Sequence, residues 1–201
     1  MCDIAAELVP RVASGYWVPC QTSGVPSLDR FTTVEASQPR LAEIRRLVVS
    51  AFEEDFSEED WEHSLGGWHV VAFDNDVVIA HAAVVPRVVE VADRSFRTGY
   101  VEAVATDPAR QHEGLGSSIM IEVARLVRGT FEMGALSTAL HDFYARLGWE
   151  RWQGPTYVRR GSQLVRTEAE DDGIMVLRFG RSKDVDVSAA ISCEARTGDD
   201  W

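Results

Sequence analysis

Apolar residues recur at helical spacing in some parts of the chain and alternate with polar residues in others. The helical patterns predict helices over residues 40–52, 58–61, 115–128 and 141–147. The second helix follows Ser57-x-x-Asp60, which has the form of a capping box, and Gly129 is placed to cap the third. Helices with one apolar face must cover another layer, so the pattern also calls for a sheet.

Alternation of apolar and polar residues predicts that sheet. Strands are expected over residues 68–73, 77–85, 88–91, 96–104, 135–138 and 174–179. Asp74-Asn75-Asp76 joins the first two strands and Asp93-Arg94 joins the next two, which indicates a meander. The later elements alternate between helix and strand. The whole pattern is typical of an α/β fold with a mixed sheet.

Composition indicates one compact domain. The chain has 201 residues, of which 45% are hydrophobic and 26% are charged, enough to bury a sizeable core. Residues 1–30 contain several prolines and glycines with little periodicity, and we predict an irregular or disordered extension there. A single domain is expected over residues 31–201.

The charge of the chain narrows the classes of partner. A net charge of -12 argues against nucleic acid and anionic membranes, whose phosphates would be repelled. Cationic substrates would be attracted, although an acidic surface also serves solubility alone.

Cysteine usage and the first residues bear on metal binding and on location. The three cysteines have no metal-ligand spacing, so we predict no metal site and a reducing compartment. The first residues lack the pattern of a signal peptide, and no segment is apolar enough to cross a membrane. The expectation is a cytoplasmic protein.

The stretch from Val101 to Gly116 passes from an apolar strand, through a turn at Asp107-Pro108, into a glycine-rich helix start. The loop before the helix reads Gln111-His112-Glu113-Gly114-Leu115-Gly116. Glycines let the backbone approach a ligand, and the first N–H groups of a helix are unpaired, so an anion is expected there. Taken alone, the pattern is more typical of a glycine-rich turn between two core elements.

The loop pattern Q-x-x-G-x-G resembles the acyl-CoA signature of the GNAT N-acetyltransferase superfamily. Downstream, Phe143-Tyr144-Ala145-Arg146-Leu147-Gly148-Trp149 is similar to a second segment of that superfamily. The resemblance implies the GNAT fold, a central mixed and mostly antiparallel sheet flanked by helices, with acetyl-CoA as the donor. It also implies that the cofactor is bound by Ala103, Val104, Ala105, Gln111, His112, Glu113, Gly114, Leu115, Gly116 and Ser117.

A closer resemblance covers about residues 32–201. The segments from Asp55 to Gly67, from Gly99 to Ala105 and from Arg196 to Trp201 are similar to aminoglycoside 2'-N-acetyltransferases. Aminoglycosides carry several ammonium groups, which carboxylates bind by charge-assisted hydrogen bonds. The resemblance implies that the substrate is bound by Asp55, Asp60, Glu102, Ser137, Asp172 and Trp201, the last through its α-carboxylate. Capping and surface charge would equally account for the first two.

Two residues are candidates for proton transfer. Glu102 lies in the strand before the cofactor loop, on the face opposite Val101 and Ala103, where a carboxylate is costly unless it is hydrated or functional. We predict that it is the general base, although an exposed strand carboxylate is the alternative. The resemblance makes Tyr144 the general acid, and amides near Val104 would polarise the thioester carbonyl. No cysteine lies near these motifs, so direct transfer in a ternary complex is expected.

Three functions remain open on the sequence. The first is acetylation of the 2'-amine of aminoglycosides, with antibiotic resistance as its consequence. The second is acetylation of another cationic amine, such as a polyamine, a lysine or a peptide N-terminus. The third is a non-catalytic module that binds acyl-CoA or a drug. A homodimer would be ordinary for the superfamily.

Overall fold

The computed structural model describes residues 26–52 and 56–201 of the chain. Its helices are α1 (Gln38–Phe52), α2 (Glu58–His63), α3 (Leu115–Thr130) and α4 (His141–Ala145). Its strands are β1 (Ser27–Thr32), β2 (Trp68–Asp74), β3 (Val77–Val91), β4 (Arg94–Thr106), β5 (Met133–Ser137), β6 (Glu150–Arg151), β7 (Thr156–Arg160), β8 (Gln163–Arg166), β9 (Ile174–Arg178) and β10 (Ile191–Glu194). Among the described residues, no helix is long and apolar enough to cross a membrane.

The strands of the described residues form one mixed sheet. Its main path runs β6, β9, β5, β4, β3, β10, β7, β8, while β2 pairs with β3 and carries β1 at its outer edge. Only two of the neighbouring pairs are parallel, β4 with β5 and β10 with β7. The predicted fold class, a mixed and mostly antiparallel sheet flanked by helices, is therefore confirmed.

Strand β3 is continuous where the sequence predicted two strands. It pairs with β4 through Pro86, which lies opposite Gly99. Along its other edge, the pairing with β2 ends at Val84 and the pairing with β10 begins at Glu90. Pro86 therefore falls where that edge has no strand partner, so a residue without an N–H group does not interrupt the sheet.

Helices cover both faces of the sheet. Helix α3 packs its buried residues, including Ile119 and Val123, against β2, β3, β4 and β5 on one face. Helices α1 and α2 cover the other face, where Ile44 and Trp61 join a second cluster. A third cluster lies under β10 and the end of the chain and includes Trp152.

Several predicted boundaries differ from the structure by one or more residues, and two of the differences have a clear physical reason. Strand β1 begins at Ser27, before the start predicted for the folded domain at residue 31, because β1 pairs along its whole length with β2. Helix α3 continues to Thr130, so Gly129 lies inside the helix instead of capping it. The cap is Phe131, whose N–H donates to the Val127 carbonyl at 2.9 Å.

Candidate active site

A bulge in β4 shapes the centre of the sheet. His81 of β3 pairs with Ala105, whereas Ala83 pairs with Glu102, so β4 has one extra residue at this point. Ala103 has φ +49°, a left-handed conformation that is rare outside glycine. Because of the extra residue, Val104 packs on the α3 face with Val101 while Ala103 packs on the α1 face. Simple alternation had predicted Val101 and Ala103 on one face, and that prediction is wrong.

The same part of β4 is where the sheet opens. Strands β4 and β5 are paired in parallel only from Thr98 to Tyr100 on β4. Beyond Tyr100, β4 has no strand partner among the described residues on the β5 side. Residues 101–104 and Thr106 of β4 line two cavities there. Both cavities are bordered by Val104, Leu140 and Tyr144, so one leads into the other at these side chains.

The first cavity, which we call the acidic cavity, has a volume of about 470 Å³. It is lined by the carboxylates Asp60, Glu102 and Asp199. Ser137 and Trp201 also line this cavity. Three carboxylates around one cavity attract and bind cations.

Glu102 of the acidic cavity is paired with Arg196. Arg196 Nη1 donates to Glu102 Oε1 at 2.6 Å, and the two side chains are only 16% and 17% exposed. Burial raises the pKa of Glu102, and the positive charge of Arg196 partly offsets that rise. A carboxyl group with a raised pKa is a better proton acceptor near neutral pH than an exposed glutamate.

Arg196 also holds the last residues over the cavity. Its Nε donates to the Asp199 carbonyl at 2.6 Å, and its Nη2 donates to the Trp201 backbone oxygen at 3.2 Å. The Trp201 indole is 5% exposed, and its Nε1 donates to Thr167 Oγ1 at 3.2 Å. One guanidinium therefore links the buried glutamate to the segment that forms one wall of the cavity.

Asp60 has a structural contact as well as a place in the cavity. It accepts from the Ser57 backbone N–H at 2.9 Å and from Ser57 Oγ at 2.8 Å, which closes the predicted capping box of α2. The cap orients the Asp60 carboxylate at the start of α2, where the helix dipole favours a negative charge. Capping and ligand binding are thus compatible readings of the same residue.

Tyr144 lies at the junction of the two cavities. It is 6% exposed and packs edge-on against Phe143 and Trp149, with ring centroids 4.9 and 6.4 Å away. Burial raises the pKa of Tyr144 to about 12, so the phenol stays protonated at neutral pH. A protonated hydroxyl at this position is able to donate a proton or a hydrogen bond.

The second cavity, the loop groove, has a volume of about 500 Å³. It begins where His112, with φ +67°, and Gly114, with φ +81°, bend the chain into α3. The first N–H groups of α3 have no partner within the helix, and the helix dipole makes this end positive. This groove therefore fits a pyrophosphate such as that of coenzyme A. Its lining includes Val104, Gln111, His112, Gly114, Leu115, Gly116 and Ser117 of the predicted cofactor-binding set.

The remaining predicted cofactor residues lie elsewhere. Ala103 lines the acidic cavity, and Ala105 is 5% exposed in the α1-side core. Glu113 is ion-paired with Arg110 at 2.7 Å and does not line the groove. A carboxylate at that position would repel a phosphate, so its pairing away from the groove is favourable.

A comparison with family models matches residues 35–152 to the acetyltransferase (GNAT) domain. The chain belongs to the GNAT acetyltransferase family. It is 42% identical over 161 residues to the aminoglycoside 2'-N-acetyltransferase of Mycolicibacterium fortuitum, a match that covers 78% of this chain and 83% of the relative. Both levels of the resemblance seen in the sequence are therefore confirmed, and the chain is an acetyltransferase.

Solved GNAT structures share the fold at low sequence identity. A GNAT acetyltransferase from Brucella melitensis in complex with acetyl-CoA has a TM-score of 0.56 and 19% identity, with 82% of this chain and 94% of that chain covered. YhbS from Escherichia coli in complex with CoA has a TM-score of 0.60 and 16% identity, with 85% and 89% covered.

The structure brings together four of the six predicted substrate residues, namely Asp60, Glu102, Ser137 and Trp201. Asp172 does not join them. Its side chain is 91% exposed, does not line the acidic cavity and pairs with Arg151 of the edge strand β6 at 2.6 Å. Asp55 lies outside the described residues.

Sequence reasoning missed Asp199, which lines the acidic cavity, and Arg196, which pairs with Glu102 of that cavity. Asp199 and Arg196 both belong to the terminal motif that carries the resemblance, but neither was given a role. The signal was a charged pair beside a glycine in a segment predicted to reach the substrate. Arg196 and Glu102 are 94 positions apart, so local spacing gave no indication of their contact.

Proposed function

We propose that the protein transfers an acetyl group from acetyl-CoA to the 2'-amine of aminoglycosides, in a ternary complex. The observation that carries this proposal is the junction at Val104, Leu140 and Tyr144, where an acid-lined cavity meets a groove suited to a pyrophosphate. A cationic amine bound on one side would face a thioester held on the other.

The acidic cavity supplies the contacts that an aminoglycoside needs. Asp60, Glu102 and Asp199 accept N⁺–H hydrogen bonds, each stronger than a neutral hydrogen bond. Nearby, the pKa of Glu170 is raised by burial and by the charges of Asp199 and Asp200, which indicates a concentrated negative potential. A volume of about 470 Å³ lies within the usual range for small-molecule sites, and apolar residues such as Val101 and Leu136 complete the lining.

The loop groove holds the donor in this proposal. The N–H groups of Leu115, Gly116 and Ser117 at the start of α3 bind the pyrophosphate, and the left-handed Gly114 gives the backbone room to approach. The relative from Mycolicibacterium fortuitum carries the name of the same activity, which supports this assignment of donor and acceptor.

Glu102 removes the proton in the first part of the reaction. The substrate ammonium passes a proton to Glu102, directly or through a water molecule, and the neutral nitrogen attacks the thioester carbonyl. The raised pKa of Glu102 gives its carboxylate a higher proton affinity than that of an exposed glutamate, which favours proton transfer from the substrate ammonium. Arg196 keeps one oxygen of the carboxylate occupied, so the other oxygen is the one that accepts the proton.

Tyr144 gives a proton in the second part. As the N–C bond forms and the C–S bond breaks, Tyr144 gives its hydroxyl proton to the departing thiolate. The nitrogen then loses its second proton, which restores the Tyr144 phenol and leaves a neutral amide. The backbone N–H of Val104, at the junction of the cavities, donates to the carbonyl oxygen as charge develops on it.

Direct transfer is supported by the state of Cys193. Its thiol is buried in the core, and its Sγ lies 3.2 Å from the Asp200 carbonyl. Burial raises its pKa to about 11, so it is protonated at neutral pH and is a poor nucleophile. An acyl-enzyme on this cysteine is therefore unfavourable.

Thiol release from acetyl-CoA tests the proposal against its main alternative. An aminoglycoside with a 2'-amine, spermine and a lysine-containing peptide are assayed side by side, with product mass as a second measurement. Turnover and one added acetyl group with the aminoglycoside alone are expected. Turnover with spermine or the peptide alone would instead show a GNAT enzyme for another cationic amine.

We also propose that the enzyme acts in the cytoplasm as a homodimer and confers aminoglycoside resistance. The cytoplasm supplies acetyl-CoA, and the outer strand β8 exposes Leu164 and Val165, which supports a protein contact at that edge. Light scattering should give twice the chain mass of 22.3 kDa. A measured mass equal to that of one chain would contradict the dimer. Unchanged aminoglycoside sensitivity of bacteria that express the protein would contradict the resistance role.

A further inference from the structure

Two buried histidines lie behind the bulge of β4. His69 of β2 and His81 of β3 are both 0% exposed and occupy the sheet face covered by α1. In the register of β2 and β3, His81 is opposite Val71 and His69 is opposite Ala83, so the two rings are diagonal neighbours. Neither histidine lines the acidic cavity or the loop groove.

The rings form a chain of hydrogen bonds that ends on the bulge. His69 Nδ1 lies 2.9 Å from His81 Nε2, and His81 Nδ1 lies 2.9 Å from the Ala103 carbonyl oxygen. At the other end, Thr33 Oγ1 lies 2.9 Å from His69 Nε2. Burial lowers the pKa of His69 to about 4 and that of His81 to about 3, so both rings are neutral at pH 7.

The direction of this chain follows from its last acceptor. A carbonyl oxygen only accepts, so His81 must carry its hydrogen on Nδ1, which leaves Nε2 as an acceptor. His69 Nδ1 must then donate to His81, and His69 Nε2 must accept from the Thr33 hydroxyl. With both rings neutral, every donor of this chain faces an acceptor.

The chain is anchored at its far end by backbone. The Gly66 N–H donates to Thr33 Oγ1 at 3.0 Å, and the Thr33 N–H donates to the Gly67 carbonyl at 2.9 Å. Gly67 is packed so closely that an added Cβ would lie 2.1 Å from the Val84 carbonyl. The chain of hydrogen bonds therefore runs from a tightly packed turn at Gly66 and Gly67 to Ala103, whose backbone is in the left-handed conformation.

We propose that the hydrogen-bonded chain Thr33–His69–His81 holds the Ala103 carbonyl and so fixes the bulge, which makes His81 and His69 positioning residues for acetyl transfer. Ala103 lies between Glu102 and Val104, the proposed base and the proposed oxyanion donor. A rotation of the Ala103 peptide would turn the Val104 N–H away from the junction of the cavities. This inference rests on the proposed function only for the roles of those two groups.

Three variants separate positioning from simple stability. His81→Leu removes both ring nitrogens at similar volume. His81→Asn keeps an N–H at the position of Nδ1, so it still donates to Ala103. Val71→Ala is the matched control, because Val71 is 0% exposed, is opposite His81 in register and takes part in none of the hydrogen bonds of the chain.

The first measurement is kcat per folded enzyme, with bound coenzyme A counting the folded sites. His81→Leu is expected to lower kcat about tenfold to hundredfold while the KM for acetyl-CoA stays within about twofold, since misplacement of reacting groups by about 1 Å has effects of this size. His81→Asn should recover most of kcat. Val71→Ala should lose thermal stability and keep kcat. Equal kcat values in His81→Leu and Val71→Ala would overturn the inference.

The second measurement, ¹⁵N NMR, needs no turnover and so separates this inference from the proposed function. At pH 7 both rings should show hydrogen on Nδ1, and the Val104 amide signal should move in His81→Leu but not in Val71→Ala. A wild-type enzyme that shows no turnover with any amine would contradict the proposed function. The NMR result would still test the inference in that case. A ring with hydrogen on Nε2, or an unmoved Val104 signal in His81→Leu, would overturn the inference.

Discussion

Replacement of Glu102 by Gln removes the proposed base and keeps its shape. The Gln carbonyl still accepts from Arg196, whose other bonds to the Asp199 and Trp201 backbone oxygens are untouched. Exchanging a charge-assisted hydrogen bond for a neutral one costs about 1 kcal/mol, which corresponds to a fall of about 2–4 °C in Tm for a chain of this size. Removal of a buried charge offsets part of that cost, because burial disfavours the ionised form.

The effect on turnover should be far larger than the effect on stability. A general base contributes about 10²–10⁴-fold, so kcat of Glu102→Gln should fall at least about 100-fold. The KM for acetyl-CoA should change little, because Glu102 does not line the loop groove. Glu150→Gln is the control, since Glu150 also pairs with an arginine, Arg178, but lies away from both cavities.

The pH profile gives the decisive form of this assay. Burial raises the pKa of Glu102, so the acidic limb of kcat/KM should lie above the ordinary glutamate value of 4.5. Below that limb the carboxyl is protonated and cannot act as a base, so the rate falls as the pH falls. Thiol release is measured from pH 5 to pH 10 for the wild type and both variants. A wild-type rate for Glu102→Gln across this range would refute the reasoning.

Three further predictions follow from the same geometry. Asp60→Asn should raise the aminoglycoside KM about tenfold through loss of a charge-assisted contact, whereas Asp172→Asn should leave this KM within about twofold. A larger rise of KM in Asp172→Asn than in Asp60→Asn would contradict the assigned cavity. Tyr144→Phe should lower kcat at least about tenfold. In the wild type, burial raises the pKa of Tyr144 to about 12, so the phenol should stay protonated and the rate should hold up to pH 10. An unchanged kcat in Tyr144→Phe would exclude Tyr144 as the acid. Gly129→Ala should stabilise α3 by about 0.5–1 kcal/mol in thermal unfolding, since an added Cβ meets nothing within 4 Å. Gly114→Ala should raise the KM for acetyl-CoA, because the φ of Gly114 is +81°. A less stable Gly129→Ala, or a lower KM for acetyl-CoA in Gly114→Ala, would count against the respective assignment.

Local chemistry made much of the fold predictable. The capping box at Ser57 and Asp60, the apolar face of α3 and the glycine loop before it all depend on residues within a few positions of one another. The structure accordingly brings seven of the ten predicted cofactor residues to the loop groove, whereas Ala103, Ala105 and Glu113 lie elsewhere. The continuity of β3 was missed because Pro86 is tolerated only where the second edge has no partner, a fact of pairing and not of local sequence.

Long-range contacts account for most of what was missed at the site. The pairing of Arg196 with Glu102 joins residues 94 positions apart, and the chain of hydrogen bonds from Thr33 to Ala103 crosses three strands. The bulge at Ala103 adds one residue to β4 and reverses the faces of the residues after it. No periodicity in the sequence marks that reversal, because Val101 to Ala105 are small or apolar except for Glu102.

The most direct test of the central claim compares two substrates that differ at one position. Kanamycin B carries an amine at the 2' position, and kanamycin A carries a hydroxyl there. Thiol release from acetyl-CoA with product mass should show turnover and a single added acetyl group with kanamycin B and none with kanamycin A. Equal turnover with both, or silence with both, would contradict transfer to the 2'-amine.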